Sequence, residues 1–174
     1  MIPDRRRVYP GEDGTCCLMA LDAFVYCDCF EKENLRCSPP GDLRLKIAPS
    51  GEITCTAPSD QVWTAFVHWR QTKACSHPAM ILKHHRLGTT DQITPLQQQL
   101  TKKETQYPIL LQKVLYSATH TCDWIPLDLL PQLTEELKHL DPPATPEGEA
   151  LRHLKIQLAE LIIAAQMAKK PICF

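Results

Sequence analysis

Between residues 147 and 169, apolar side chains recur at Leu151, Leu154, Leu158, Leu161, Ile162 and Ala165, the spacing of one helical face. Lys169 and Lys170 suit the negative C-terminal end of such a helix. A stripe this long stays out of water only if a second layer of structure covers it. The remaining residues must therefore supply a sheet or further helices with a matching apolar face. At 174 residues the chain suits one domain. A chain of this size buries roughly 70% of its unfolded surface.

The covering layer is legible in outline. Residues 18–30 are rich in strand formers, among them Phe24, Val25, Tyr26 and Phe30. Residues 43–47 alternate apolar and basic, Pro49-Ser50-Gly51-Glu52 supplies a turn, and residues 53–56 return as a strand, which together predict a β-hairpin. Ser59 or Asp60 caps a helix to about Lys73, with Val62, Ala65, Phe66 and Trp69 on one face. Residues 80–86 read as a strand, and Thr90 or Asp91 caps a helix with Ile93, Leu96 and Leu100 inside. Residues 109–116 read as the most strand-like run. Residues 125–140 read as a helix carrying Leu129, Leu130, Leu133, Leu137 and Leu140, and residues 171–174 as a short closing strand.

The expected fold is α+β. It has one mixed sheet, an N-terminal antiparallel hairpin region and about four helices packed mainly on one face. Residues 80–86, the helix after them and residues 109–116 form a βαβ unit, with parallel strands and a right-handed crossover. Residues 1–15, with Pro3, Pro10, Gly11 and Gly14, are expected to form a flexible arm, and residues 16–174 a single domain.

Charge excludes several partners. Nineteen basic side chains against 20 acidic ones give no general attraction for nucleic acid or an anionic membrane. The arginine run at 5–7 has no interleaved aromatic residues. The apolar runs fall short of the about 20 residues that cross a bilayer. Nine cysteines without an export signal suggest a reducing, cytoplasmic compartment, where free thiols or metal ligands outnumber disulfides. The P-loop, G-x-G-x-x-G, G-x-S-x-G and H-E-x-x-H patterns are all missing.

Chemistry-bearing residues fall in a few short groups. In Cys27-Asp28-Cys29, residues two apart on a strand point to one face, so both sulfurs can meet one ion. Cys75-x-His77 follows the first helix, His84-His85 ends a strand, and His120-x-Cys122-Asp123 follows residues 109–116. The candidate metal ligands are Cys27, Cys29, His84, His85, His120 and Asp123, with Cys75 as a further thiolate and zinc as the ion. A thiol nucleophile, Cys122 or Cys75 with His120 or His85 as base, is a second reading. The third is that these are polar residues at strand ends, bonded to loop backbone. The parallel assignment places His120 and Asp123 beside His84 or His85, and Cys75 at the opposite end of the sheet.

Residues 17–174 resemble a family of small uncharacterised bacterial proteins. The likeness lies in the segment from Cys17 through Cys27-Asp28-Cys29-Phe30-Glu31, in Ala74-Cys75-x-His77 and in His84-His85-Arg86-Leu87-Gly88. Tyr116-Ser117-x-x-His120 and Lys170-Pro171-Ile172-x-Phe174 complete it. That resemblance brings no activity. The C-terminal half is also similar to an immunity-protein family of bacterial polymorphic toxin systems. The shared parts are residues 119–123, the Leu133-x-x-Glu136-Leu137 rhythm and the terminal Pro-Ile-x-Phe, although Trp124 stands where that family has glycine. This resemblance implies a non-enzymatic domain that binds and neutralises a cognate toxin, with no catalytic residue and no cofactor. The alternative is a metal-binding protein or small metal-dependent enzyme built on the Cys/His set.

Overall fold

A computed structural model describes residues 20–41, 43–117, 120 and 122–174. Residues 1–15, expected to be an arm, lie outside the described residues. The leucine stripe folds as helix α4, Pro146–Ala168. The Thr145 hydroxyl caps its start by accepting the Gly148 N–H at 3.2 Å. It ends at Lys169 in the left-handed conformation, where the Lys169 N–H returns to the Ala165 carbonyl.

The layer beneath α4 is a four-stranded sheet in the order β4-β1-β6-β5. Its strands are β1 (Ala20–Tyr26), β4 (Ile81–Thr89), β5 (Trp124–Ile125) and β6 (Ile172–Cys173). Alternate residues of β1, namely Leu21, Ala23 and Val25, are fully buried in one core with the α4 leucines. Asp22, Phe24 and Tyr26 line the other, half-buried face. Helices α2 (Thr90–Thr101) and α3 (Leu130–His139) complete this core. Thr89 and Gln92 form a capping box at the start of α2. No helix among the described residues is long and apolar enough to cross a membrane.

A second, smaller cluster lies between β1 and β4 in sequence. It holds the expected hairpin, β2 (Leu45–Ile47) paired with β3 (Ile53–Cys55), and helix α1 (Asp60–Thr72) capped by Ser59. Ile53, Phe66, Trp69, Ala74 and Met80 pack there with Cys27, Cys29 and Cys75.

The fold is α+β as expected, but two expectations are corrected. The sheet is not mixed, because every strand pair in it is antiparallel. The βαβ unit does not exist, because residues 109–114 are helical, with a wide turn over Leu110–Val114, and 115–116 form a bend. The physical reason is the burial pattern: Ile109, Leu110, Leu111, Val114 and Leu115 are buried while Gln112 and Lys113 are exposed. That is a helical period, not an alternation. The Glu136 carboxylate fixes the start of this turn, accepting the Ile109 and Leu110 N–H groups at 2.8 Å each.

Candidate metal centre

β1 and β4 pair directly although residues 27–80 separate them in sequence. Tyr26 sits opposite Ile81, and the Cys27 N–H donates to the Met80 carbonyl at 2.8 Å. The chain leaving β1 and the chain arriving at β4 therefore meet. Cys27 and Cys29 lie on the first segment and Cys75 and His77 on the second.

Local structure aims the four side chains at one point. After Cys29 the chain turns, with the Lys32 N–H on the Asp28 carbonyl and the Asn34 N–H on the Cys29 carbonyl. Asp28, between the two cysteines, pairs with Lys32 at 2.6 Å. At the other side α1 closes with the Lys73 and Ala74 N–H groups both on the Trp69 carbonyl, and the Arg36 N–H donates to the Ala74 carbonyl. The Cys75 sulfur accepts the His77 N–H at 3.4 Å, which fixes the short Cys-x-His loop. Pro78 and two left-handed residues, Ala79 and Met80, then swing the chain into β4.

The ligand atoms converge. Cys27 Sγ and Cys75 Sγ are 3.7 Å apart, Cys29 Sγ and His77 Nδ1 3.3 Å, and Cys75 Sγ and His77 Nδ1 3.8 Å. All four ligand atoms lie within 4.8 Å of one another. A tetrahedral zinc with Zn–S of about 2.3 Å and Zn–N of about 2.0 Å sets S···S edges near ~3.8 Å and S···N edges near ~3.5 Å. A disulfide, by contrast, needs about 2.05 Å. The cysteines are buried, at 2% exposure for Cys27, 4% for Cys29 and 7% for Cys75, and His77 is half-buried. Burial pushes the Cys27 thiol well above the usual thiol range and raises that of Cys29. A cation at the centre reverses that penalty by binding the thiolates directly.

Of the residues expected to bind metal, Cys27, Cys29 and the further thiolate Cys75 meet, and His77 joins them. The others lie elsewhere. His84 is on the half-buried face of the sheet, 3.3 Å from Asp22, and His85 on the helix-covered face contacts Glu160 of α4 at 2.8 Å. His120 is buried between the rings of Tyr116 and Phe174 and donates from Nε2 to the Val114 carbonyl at 2.9 Å. Asp123 accepts from the Tyr116 hydroxyl and faces His120 Nδ1 at 3.6 Å. His84 pairs with Phe24, Phe24 with Cys173, and Cys173 with Trp124, so His84 and β5 sit at opposite edges of the sheet. Three strand spacings amount to about 14 Å. The expected cleft shared by His84 or His85 with His120 and Asp123 is thereby corrected. It rested on the parallel pairing that the helical turn at 109–114 removes. His77 was not among the expected ligands. Its signal was the pair of two-residue spacings, Cys-x-Cys and Cys-x-His, flanking one long excursion.

No protein-family model, curated protein or solved structure matches this chain.

Proposed function

We propose that this protein binds zinc through Cys27, Cys29, Cys75 and His77, and that the centre is structural. One observation carries the reading: three buried sulfurs and one imidazole nitrogen lie within 4.8 Å of one another, with edges near those of a tetrahedral ion. Thiolate and imidazole ligands suit zinc. Four protein ligands leave no open position for water or substrate, so the centre supports a fold and not a reaction. The protein is accordingly read as a non-enzymatic domain. The test is zinc analysis of purified, untagged protein. One zinc per chain is expected, falling to a small fraction in Cys29→Ser and His77→Ala. Equal zinc in wild type and both variants contradicts the assignment.

A second reading, an immunity-type domain that binds a protein toxin, is favoured by one surface. Ile156, Ile163 and Met167 are 52%, 57% and 71% exposed on one side of α4. Ile163 also lines a groove of about 500 Å³ between α3 and α4. Apolar groups clustered outside the core mark interaction surfaces. The test is co-expression with a toxin encoded beside this protein. Rescue of growth that fails in Ile163→Asp supports the reading, and absence of rescue by the wild type contradicts it.

A further inference from the structure

The zinc reading has a consequence for how the molecule is held together. Residues 27–80 leave the sheet at the end of β1 and return at the start of β4, so they hang from one end of an antiparallel pair. The ligands sit at the two ends of this excursion, Cys27 and Cys29 at its exit and Cys75 and His77 at its return. An ion at this point clips the two ends of the excursion together just beyond the last β1–β4 pair, Tyr26–Ile81. The main core spans β1, α2, α3 and α4 and contains none of the four ligands. The small cluster contains three of them.

We infer that residues 27–80 form a lobe whose order depends on the metal, while the main sheet and its helices fold without it. This rests on the zinc reading above. Apart from the ligands, the buried side chains among the described residues of the lobe are Ile53, Phe66, Trp69, Ala74 and Met80, with partly buried residues such as Phe30, Leu35, Leu45 and Val67 packed against them. That is a small core for so long a segment, and units of this size commonly need metal or disulfide support. Without the ion, the three buried thiols are joined by no covalent bond, only by weak contacts such as Cys27 Sγ to Cys75 Sγ at 3.7 Å. The sheet keeps its own closure, because β1 and β4 pair from Ala20–Thr89 to Tyr26–Ile81.

One part of the lobe has a separate anchor. The buried Lys170 ammonium pairs with Glu31 and donates to the Gly51 carbonyl at 3.2 Å, and the Cys173 thiol donates to the Ser50 carbonyl at 3.0 Å. These contacts hold the β2–β3 turn against the C-terminal strand. Helix α1 reaches this anchored turn through Arg70, which pairs with Glu52 and donates to the Ile53 carbonyl at 3.4 Å. The segment around Cys37 is held through α1 and the chain after it, by the Trp69 indole donating to the Cys37 carbonyl at 2.9 Å and the Arg36 N–H donating to the Ala74 carbonyl at 2.8 Å. Loss of order on metal removal should therefore concentrate in α1 and residues 32–41, beyond the Glu31 anchor.

Hydrogen exchange of the full chain, read by mass spectrometry, tests this in zinc-loaded protein and after chelation under reducing conditions. Zinc content is measured on both samples. The expected result is that α1 loses its protection on chelation while α4 and β1 keep theirs, and that Cys75→Ser/His77→Ala behaves like the chelated protein without chelator. Trp63 and Trp69, both in α1, should report the same change as a red-shifted emission. Zinc-loaded and chelated samples with the same α1 protection would overturn the inference and leave the metal centre standing. Loss of protection throughout the molecule would overturn it too, by showing one cooperative unit. A protein that takes up no zinc at all would overturn the metal reading itself, and this inference with it.

Discussion

Glu136 shows how one side chain sets local structure. It occupies a position on the buried stripe of α3, beside Leu133, Leu137 and Leu140, and is 4% exposed. Its carboxylate oxygens each take one N–H from the turn that begins at Ile109. Glu136→Ala strands two buried donors and is expected to cost about 2–4 kcal/mol in denaturant unfolding. A loss under half a kcal/mol would show that water replaces the carboxylate. Gly148 is constrained differently. A Cβ there would lie 1.8 Å from the Pro143 carbonyl oxygen. Alanine normally stabilises a helix relative to glycine by about 1 kcal/mol. Here Gly148→Ala is expected to lower the melting temperature, and an increase would mean that the 142–143 loop moves freely. At the proposed zinc centre the sign of the pH effect follows from the thiols. Burial holds Cys27 and Cys29 protonated to higher pH than usual, so zinc must displace protons. Competition with a chelator should show affinity falling from pH 8 to pH 6. Affinity unchanged over that interval would rule out thiolate ligation.

At the scale of elements, α4 carries the largest share of the packing. Leu158 is fully buried between the sheet and the neighbouring helices. Leu158→Ala is expected to cost about 2–5 kcal/mol, the range for truncating a core leucine. A change below half a kcal/mol would mean that α4 is peripheral. The same helix was fully legible in the sequence, as were α1 and the β2–β3 hairpin, because each is specified by neighbours within a few residues. Ser59 caps α1 and the Pro-Ser-Gly turn closes the hairpin. The run at 109–116 was misread because apolar residues there satisfy strand propensity. What decides its conformation is a carboxylate from α3, well over a turn of sequence away. Propensity yields to such tertiary contacts wherever they satisfy backbone groups.

For the whole molecule, the arrangement that matters is non-local. The paired faces of Cys27 and Cys29 follow from the period of an extended chain. That Cys75 and His77 join them follows only from the pairing of β1 with β4, which brackets the entire lobe. Nothing within either three-residue segment encodes that pairing, and the parallel reading of 80–86 with 109–116 points to a different set of histidines. Once the sheet is seen to be antiparallel, His84, His85, His120 and Asp123 resolve into local roles. Two bond across to Asp22 and Glu160, and two pack at the far edge. The lobe and the main domain then differ in what lies buried in them: a small cluster beside the proposed zinc ligands in one, a large leucine core in the other.

Zinc K-edge X-ray absorption on the zinc-loaded protein tests the central claim most directly. The predicted spectrum is fitted by three sulfurs at about 2.3 Å and one nitrogen at about 2.0 Å. His77→Ala should lose the imidazole scattering while keeping the sulfur shell. A first shell made only of nitrogen and oxygen would contradict the Cys27, Cys29, Cys75 and His77 centre.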